Sequence, residues 1–419
     1  LKSLAAISAL LLIPFCASLA QPHPWTRVYQ SESDTTLYGV HVKDAMNAIV
    51  VGDTGVVKRT SDGGATWTIV PSGTRHRLYR IRFMNPTDGY IVGGEVGARD
   101  AILLKSTDGG DSWVEVDTKG DRTLFDVWFH NRDTGIVVGQ AGVMRATVDG
   151  GKTWTSVDAG FGQNNIYSID FPDRRIGYIC GNVGKVARSS NGGASWREQT
   201  SGSNSSLFSI SFGDPYNGTI VGDGGVILHT SNGGSKWETQ YAEFPISSSL
   251  LEVLHLDVNT AYACGWFGII IGTTDAGTTW KMQEWSGTEI VESLHFSDSR
   301  NGYAVGWNGT ILRTVNGGGI AAGEEPPSPA RASGITAYPN PVSARAQPFL
   351  NVEFSTGSPG RARLTLHDAL GRICATVVDD VLPRGRHASV VGIANLAPGV
   401  YYLRTAGDAS PGRPVVVVR

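Results

Sequence analysis

At 419 residues, with 54 glycines, 41 % hydrophobic and 17 % charged residues, the chain is Gly-rich and β-like and long enough to bury a large core. That composition excludes a disordered polymer. The formal net charge of −3 supplies no basic surplus of the kind nucleic-acid binding needs.

Lys2 followed by the apolar run from Leu4 to Leu19 has the n-region and h-region of a secretory signal, and Ser18-Leu19-Ala20 offers small residues for cleavage before Gln21. Pro14 interrupts the run, which is too short for a membrane span. Residues 1–20 are therefore read as a signal peptide, and no transmembrane segment is expected in the mature chain.

From Gln21 to Gly318 one turn motif recurs seven times, as SDGGATW, TDGGDSW, VDGGKTW, SNGGASW, SNGGSKW, TDAGTTW and VNGGGIA. Its key positions are Asp62, Asp108, Asp149, Asn191, Asn232, Asp275 and Asn316, spaced 46, 41, 42, 41, 43 and 41 residues apart. Periods of this size among short β-runs are those of propeller blades. One unit shows four strands: Leu207 to Phe212, Thr219 to Gly222, Gly225 to His229, and a fourth opening at Trp237. The second strand recurs as GYIVG, GIVVG, GYICG, AYACG and GYAVG, apolar throughout, as a strand buried on both faces requires. The last turn lacks its tryptophan, whereas Trp25-Thr26-Arg27-Val28 matches a tryptophan strand with no turn before it. An N-terminal strand that completes the final blade would leave no open edge, giving seven whole blades.

The turn chemistry is local: an Asp or Asn oxygen accepts from backbone groups two residues on, and the glycines supply positive φ. The seven turns resemble the Asp-box, or bacterial neuraminidase repeat, found in sialidases and in many propellers without enzymatic activity. Val148 and Val315 replace the usual leading Ser or Thr and are expected to weaken their turns.

The central channel is the first place to look for function. At one position of the innermost strands the blades read His41, Arg82, Trp128, Asp170, Ser211, His255 and His295, with the three histidines on blades that become consecutive when the ring closes. Three neutral imidazoles suit a zinc-like metal, but no HExxH or CxxC spacing supports a site, so no metal or cofactor is assigned. The cluster Arg75-His76-Arg77 with Arg80 and Arg82 is the one local basic feature and a candidate for an anionic group. Asp126 and Asp170 are the pair from which a two-carboxylate glycosidase would be built, although the Arg-Ile-Pro motif of sialidases is absent. Connections between blades and turns between second and third strands share one end of the barrel, and there Trp266, Phe267 and Trp307 form an aromatic patch suited to stacking on a sugar or peptide.

Cys180 and Cys264 hold the register that other blades fill with Val51, Val92, Val138, Val221 and Val305, and read as small buried apolar residues. After Gly318 the sequence changes. Residues 319–334 are Pro, Ala and Ser-rich and read as a linker, and 335–419 alternate as the strands of a small β-sandwich. Charge divides likewise: 335–419 carry nine Arg, no Lys and five acidic residues, for +4, whereas 21–318 carry 24 basic and 31 acidic residues, for −7.

Three blocks of the tail carry a second resemblance. They are Tyr338-Pro339-Asn340-Pro341, the run Leu364 to Arg372, and Leu396 to Leu403 with Gly399 and Tyr401 at its centre. They resemble the type A sorting domain of the type IX secretion system, which implies that machinery as a partner and an exported, outer-surface protein. The propeller itself, with its DGGxTW turns and GYxVG strands, resembles the photosystem II stability and assembly factor family, in which the propeller is a protein-binding platform. The sequence is thus read as an all-β chain, a seven-bladed propeller followed by an immunoglobulin-like sandwich, secreted and binding a protein or glycan. A sialidase-like hydrolase and a carbohydrate-binding adhesin are the alternatives.

Overall fold

A computed structural model describes residues 24–30, 35–96, 100–319, 332–338, 340, 342–343, 349–356, 360–368, 372–382, 385–405 and 413–418. The chain divides into two compact units, Leu1–Ile320 and Ala321–Arg419. The signal-peptide reading falls on residues outside those described.

The first unit is seven antiparallel four-stranded sheets. Blades 1 to 7 begin with the inner strands Leu37–Val42, Leu78–Phe83, Leu124–Phe129, Ile166–Asp170, Leu207–Phe212, Leu250–His255 and Val291–Phe296. The ring closes as the leading tryptophan predicts. Thr26–Tyr29 pairs antiparallel with Ile311–Thr314, Thr26 opposite Arg313, and becomes the outer strand of blade 7. Trp25 is 1 % exposed, its indole donating to Gln283 Oε1 at 2.9 Å and packing edge-on against Phe296.

Every second strand is buried along its whole length. The inner strands of four blades end on Phe83, Phe129, Phe212 or Phe296, and in blade 4 Phe171 directly follows the strand; each lies over the glycine that opens the second strand. A Cβ at Gly135 would stand 2.4 Å from the Phe129 ring, so only glycine admits this stacking. A tryptophan meets each of these phenylalanines edge to face, at centroid distances of 5.6 to 6.3 Å. Cys180 and Cys264 are fully buried free thiols, as their valine register predicts.

The turns after the third strands are staples. In blade 3, Thr153 N and Thr153 Oγ1 donate to the two oxygens of Asp149 at 2.9 and 2.6 Å, while Thr147 Oγ1 donates to Asp149 and accepts from Gly151 N. The Thr153 hydroxyl and amide hold the Asp149 carboxyl down at about 2, and Asp62 and Asp108 are held at the same level by their own turns. The latching hydroxyl precedes the Asp or Asn by two residues, at Thr60, Ser106, Thr147, Ser189, Thr230, Thr273 and Thr314, and is Ser or Thr in every blade. Val148 and Val315, at the position between, are exposed and cost the latch nothing. Thr147→Val, which orphans the buried Gly151 N–H, is expected to lower unfolding free energy by about 1–2 kcal/mol in a denaturant titration. Val148→Thr should leave it unchanged.

The second unit is a three-stranded sheet, Ala332–Tyr338, Phe349–Thr356 and Gly385–Gly392, and a five-stranded sheet that includes Gly360–His367, Gly399–Thr405 and Arg413–Val418. Leu350, Val352 and Phe354 from the first sheet and Leu364, Leu366, Leu403 and Val415 from the second form one buried cluster. Its first strand starts at Ala332, inside the stretch whose composition reads as linker. Asn340 bridges toward the last strand, donating to Pro414 O and accepting from Val416 N. The Tyr401 hydroxyl donates to Ala397 O at 2.8 Å, and Gly399 opens its strand. Tyr338 ends the first strand; Pro339 and Pro341 lie outside the described residues.

Candidate functional site

Each inner strand shifts register after its first residue, so the second residue is the extra one. The channel is consequently lined in tiers. At the mouth, Tyr38, Tyr79, Phe125, Tyr167 and Phe208 from blades 1 to 5 form an arc with successive centroids 5.2 to 5.6 Å apart, and Leu251 and Glu292 hold the same position in blades 6 and 7.

Below the arc lies an ion-pair network. Arg80 of blade 2 pairs across the channel with Glu252 of blade 6, while Arg82 forks onto Asp126 through Nε and Nη2 at 3.1 and 3.0 Å. Asp126 is fully buried and also accepts from Val127 N, Ile169 N and the Ser168 hydroxyl. Its lone pairs are committed, so it cannot serve a hydrolytic dyad with Asp170 as acid or base.

Several channel side chains hold neighbouring blades together. Asp126, Ser168, Ser209 and Glu252 each accept from a backbone N–H of the next blade's inner strand, those of Ile169, Ile210, Val253 and Leu294. One tier lower, Asp170 accepts from Phe212 N at 2.7 Å, Ser211 from His255 N, and His295 Nδ1 from Val42 N. Because inner strands of adjacent blades are not hydrogen-bonded in one sheet, these side chains satisfy donors that would otherwise be orphaned.

The lower channel opens into a cavity of about 360 Å³ whose walls include His41, Arg82, Trp128, Asp170, Ser211 and His295. His255 does not join them. Strand pairing sets Leu254 opposite Tyr262 and His255 opposite Ala261, so the channel position of blade 6 belongs to Leu254. A one-residue offset turns a strand side chain to the opposite face, and His255 takes the place other blades give to phenylalanine. Its Nε2 bonds Thr219 Oγ1 at 2.9 Å and its Nδ1 lies 3.0 Å from Asp257 O. His41 and His295 do meet, with ring centroids 4.6 Å apart, and burial holds His41 well below and His295 down at about 4. The three-imidazole arrangement is not formed, and no group of three or more His, Cys, Asp or Glu among the described residues is placed to hold a metal ion.

The basic cluster is likewise dispersed. Arg80 and Arg82 are inside the channel, Arg77 pairs with Asp53 at 2.9 Å, His76 lies 2.7 Å from Asp100, and Arg75 is exposed. The Arg82 guanidinium also stacks 5.1 Å from the Trp128 ring. These pairings leave no concentrated cationic surface for an anion.

Burial lifts the Asp170 carboxyl to about 6. Its folded value exceeds the unfolded one, so the native state binds more protons between pH of about 4 and 6 and this group's contribution to stability falls as pH rises through that window. Asp170→Asn does not titrate. Its thermal midpoint relative to the parent protein is therefore expected to climb from pH 4 to 6 and then level off; a pH-independent difference would refute the assignment.

At the mouth end, each 3-10 turn between second and third strands bonds to the adjoining connection between blades, as with Asp53 N to Thr36 O, Ser249 Oγ to Asp223 Oδ1 and Trp285 Nε1 to Gly268 O. Trp266, Phe267 and Trp307 stand on two of these turns, with 43 %, 69 % and 45 % of their surface exposed. Neither the mouth arc nor Glu292, whose Oε1 accepts from Trp307 Nε1 at 2.7 Å, stands out in the sequence; the recurrent Tyr or Phe after the first strand residue is the available signal for the arc.

Seven closed sheets, hydroxyl-latched Asp or Asn turns and an N-terminal closing strand define an Asp-box seven-bladed propeller. The sequence matches the profile of the family described as photosynthesis system II assembly factor YCF48 over residues 17–120 and 154–288, more than half its length, and the chain belongs to that family. Among solved structures it is similar to YCF48 bound to a D1 peptide (21 % identity, TM-score 0.58, 71 % of this chain and 98 % of that one) and to YCF48 from Cyanidioschyzon merolae (18 %, 0.56, 69 % and 98 %). A GH74 xyloglucanase from Xanthomonas campestris shares the fold at 13 % identity (TM-score 0.57, 71 % of this chain and 54 % of that one). No curated protein matches significantly.

Proposed function

We propose that the propeller is a protein-binding scaffold, exported to the outer cell surface or medium, whose ligand docks on the mouth face. The observation that carries this reading is the group of three exposed aromatic side chains on adjacent turns of that face. Exposed Trp and Phe on rigid turns are typical anchors of recognition surfaces. A YCF48 structure holding a D1 peptide supports a peptide ligand on this fold. Export rests on the apolar leader and on the sorting-domain blocks of the tail, with the type IX machinery as the partner of residues 335–419. Proteomics of medium and cell surface with that machinery intact and disabled, combined with affinity capture on the propeller, tests both halves. Retention of the protein inside an intact cell would remove the export reading, and capture undiminished by Phe267→Thr with Trp307→Ala would remove the docking face.

A further inference from the structure

Phe267 occupies an unusual place. It is the middle residue of its 3-10 turn, at φ 56°, where the corresponding turns carry Thr54, Ala141, Val183, Gly224 and Asn308. A bulky side chain in the left-handed region is strained, and at 69 % exposure this one gains little burial in return. On the equivalent turn of blade 7, Trp307 donates its indole N–H to Glu292 Oε1 at 2.7 Å and leaves nearly half its own surface open.

Glu292 itself lies in the mouth tier, where the charges of Asp53 in the blade 1 turn and Glu252 of blade 6 bear on its carboxyl. Among the described residues no cation pairs with it: Arg80 is taken by Glu252 and Arg77 by Asp53. The surrounding chain repeats the imbalance. Residues 241–318, which supply all of blade 6 and the first three strands of blade 7, hold eight carboxylates against Lys281, Arg300 and Arg313, and Arg27 of the closing strand is paired with Glu289.

We infer that Trp266, Phe267 and Trp307, with Glu292 bonded to Trp307, receive a Lys or Arg side chain from a basic, extended segment of a partner protein. This deepens the protein-binding reading and rests on it. Aromatic faces attract a cation electrostatically while covering its aliphatic stem, and a carboxylate bonded to one of the rings completes the charge. A neutral sugar would cover the rings but leave the carboxylate without a counter-charge. Burial, with Asp53 and Glu252 nearby, pushes the free Glu292 carboxyl up to about 7. An arriving cation favours the ionised form, so docking releases a proton near neutral pH and strengthens as pH rises through that value.

The test is calorimetric and fluorimetric titration of the full chain with three extended peptides: alternating Gly-Lys, Gly-Glu and Gly-Ser. The lysine peptide is expected to bind roughly tenfold or more tightly than the others and to quench tryptophan emission. Glu292→Gln should lose roughly tenfold in affinity and abolish the buffer-dependent heat of proton release near pH 7. Phe267→Thr, which installs the blade 1 residue at the same turn position, should weaken binding several-fold, on the order of a lost aromatic contact, without lowering the unfolding midpoint. Equal binding of the lysine and glutamate peptides, or affinity unchanged in both variants, overturns the inference. Charge-indifferent binding that Phe267→Thr nevertheless weakens would overturn it while leaving the protein-binding reading intact; binding of all three peptides untouched by Phe267→Thr and Trp307→Ala removes both.

Discussion

Trp25→Ala is expected to destabilise the propeller by about 3–5 kcal/mol, the cost of truncating a fully buried tryptophan. The indole is 1 % exposed, bonded to Gln283 and packed on Phe296. Its loss empties the outer layer of blade 7 and leaves the Gln283 amide oxygen without its donor. The effect extends past one side chain, because the strand behind it closes the ring. Removing residues 21–30 should expose the edge of Ile311–Thr314 and yield a protein that self-associates by size-exclusion chromatography. A Trp25→Ala loss below about 1 kcal/mol in denaturant unfolding would mean that closure does not depend on this anchor.

The second large effect is expected at Asp126. Alanine there leaves the Arg82 guanidinium unpaired, deprives Arg80 of a neighbouring counter-charge, and orphans the amides of Val127 and Ile169. Breaking a buried pair from one side costs about 3–5 kcal/mol. The double replacement Arg82→Met with Asp126→Leu removes both charges together and should recover much of that loss, since a buried pair exchanged for apolar packing is often close to neutral. Equal destabilisation by the single and double variants would show that the backbone bonds of Asp126, and not its charge, carry the effect.

Much of the architecture was legible because a ring of repeats writes the same signal seven times. The spacing of the Asp and Asn turns and the orphan tryptophan at position 25 sufficed for blade number and closure. Three features were harder. The channel register of blade 6 slipped by one because His255 is polar at a position where Phe83, Phe129 and Phe296 are aromatic, so the polar residue looked like the channel one. The turn latch is written in Thr60, Ser106 and their equivalents, two residues ahead of the Asp or Asn, whereas the position adjacent to the Asp, part of the family motif, carries an exposed side chain in every blade. The pairing of Arg80 with Glu252, 172 residues away, depends on the ring's diameter and on side-chain direction, neither of which a strand pattern encodes. In the tail, the strand Ala332–Tyr338 begins in an Ala and Ser stretch without alternation, and pairing with Phe349–Thr356 rather than local preference makes it a strand.

The Arg80–Glu252 bridge joins blades 2 and 6, which share no sheet, and both of its charges line the same cavity as Trp128 and Asp170. Whatever enters that cavity meets two opposite charges that already satisfy each other, so a ligand gains from either one only by matching what the other already gives. The cross-brace thus ties the ring's rigidity to the polarity of its own interior.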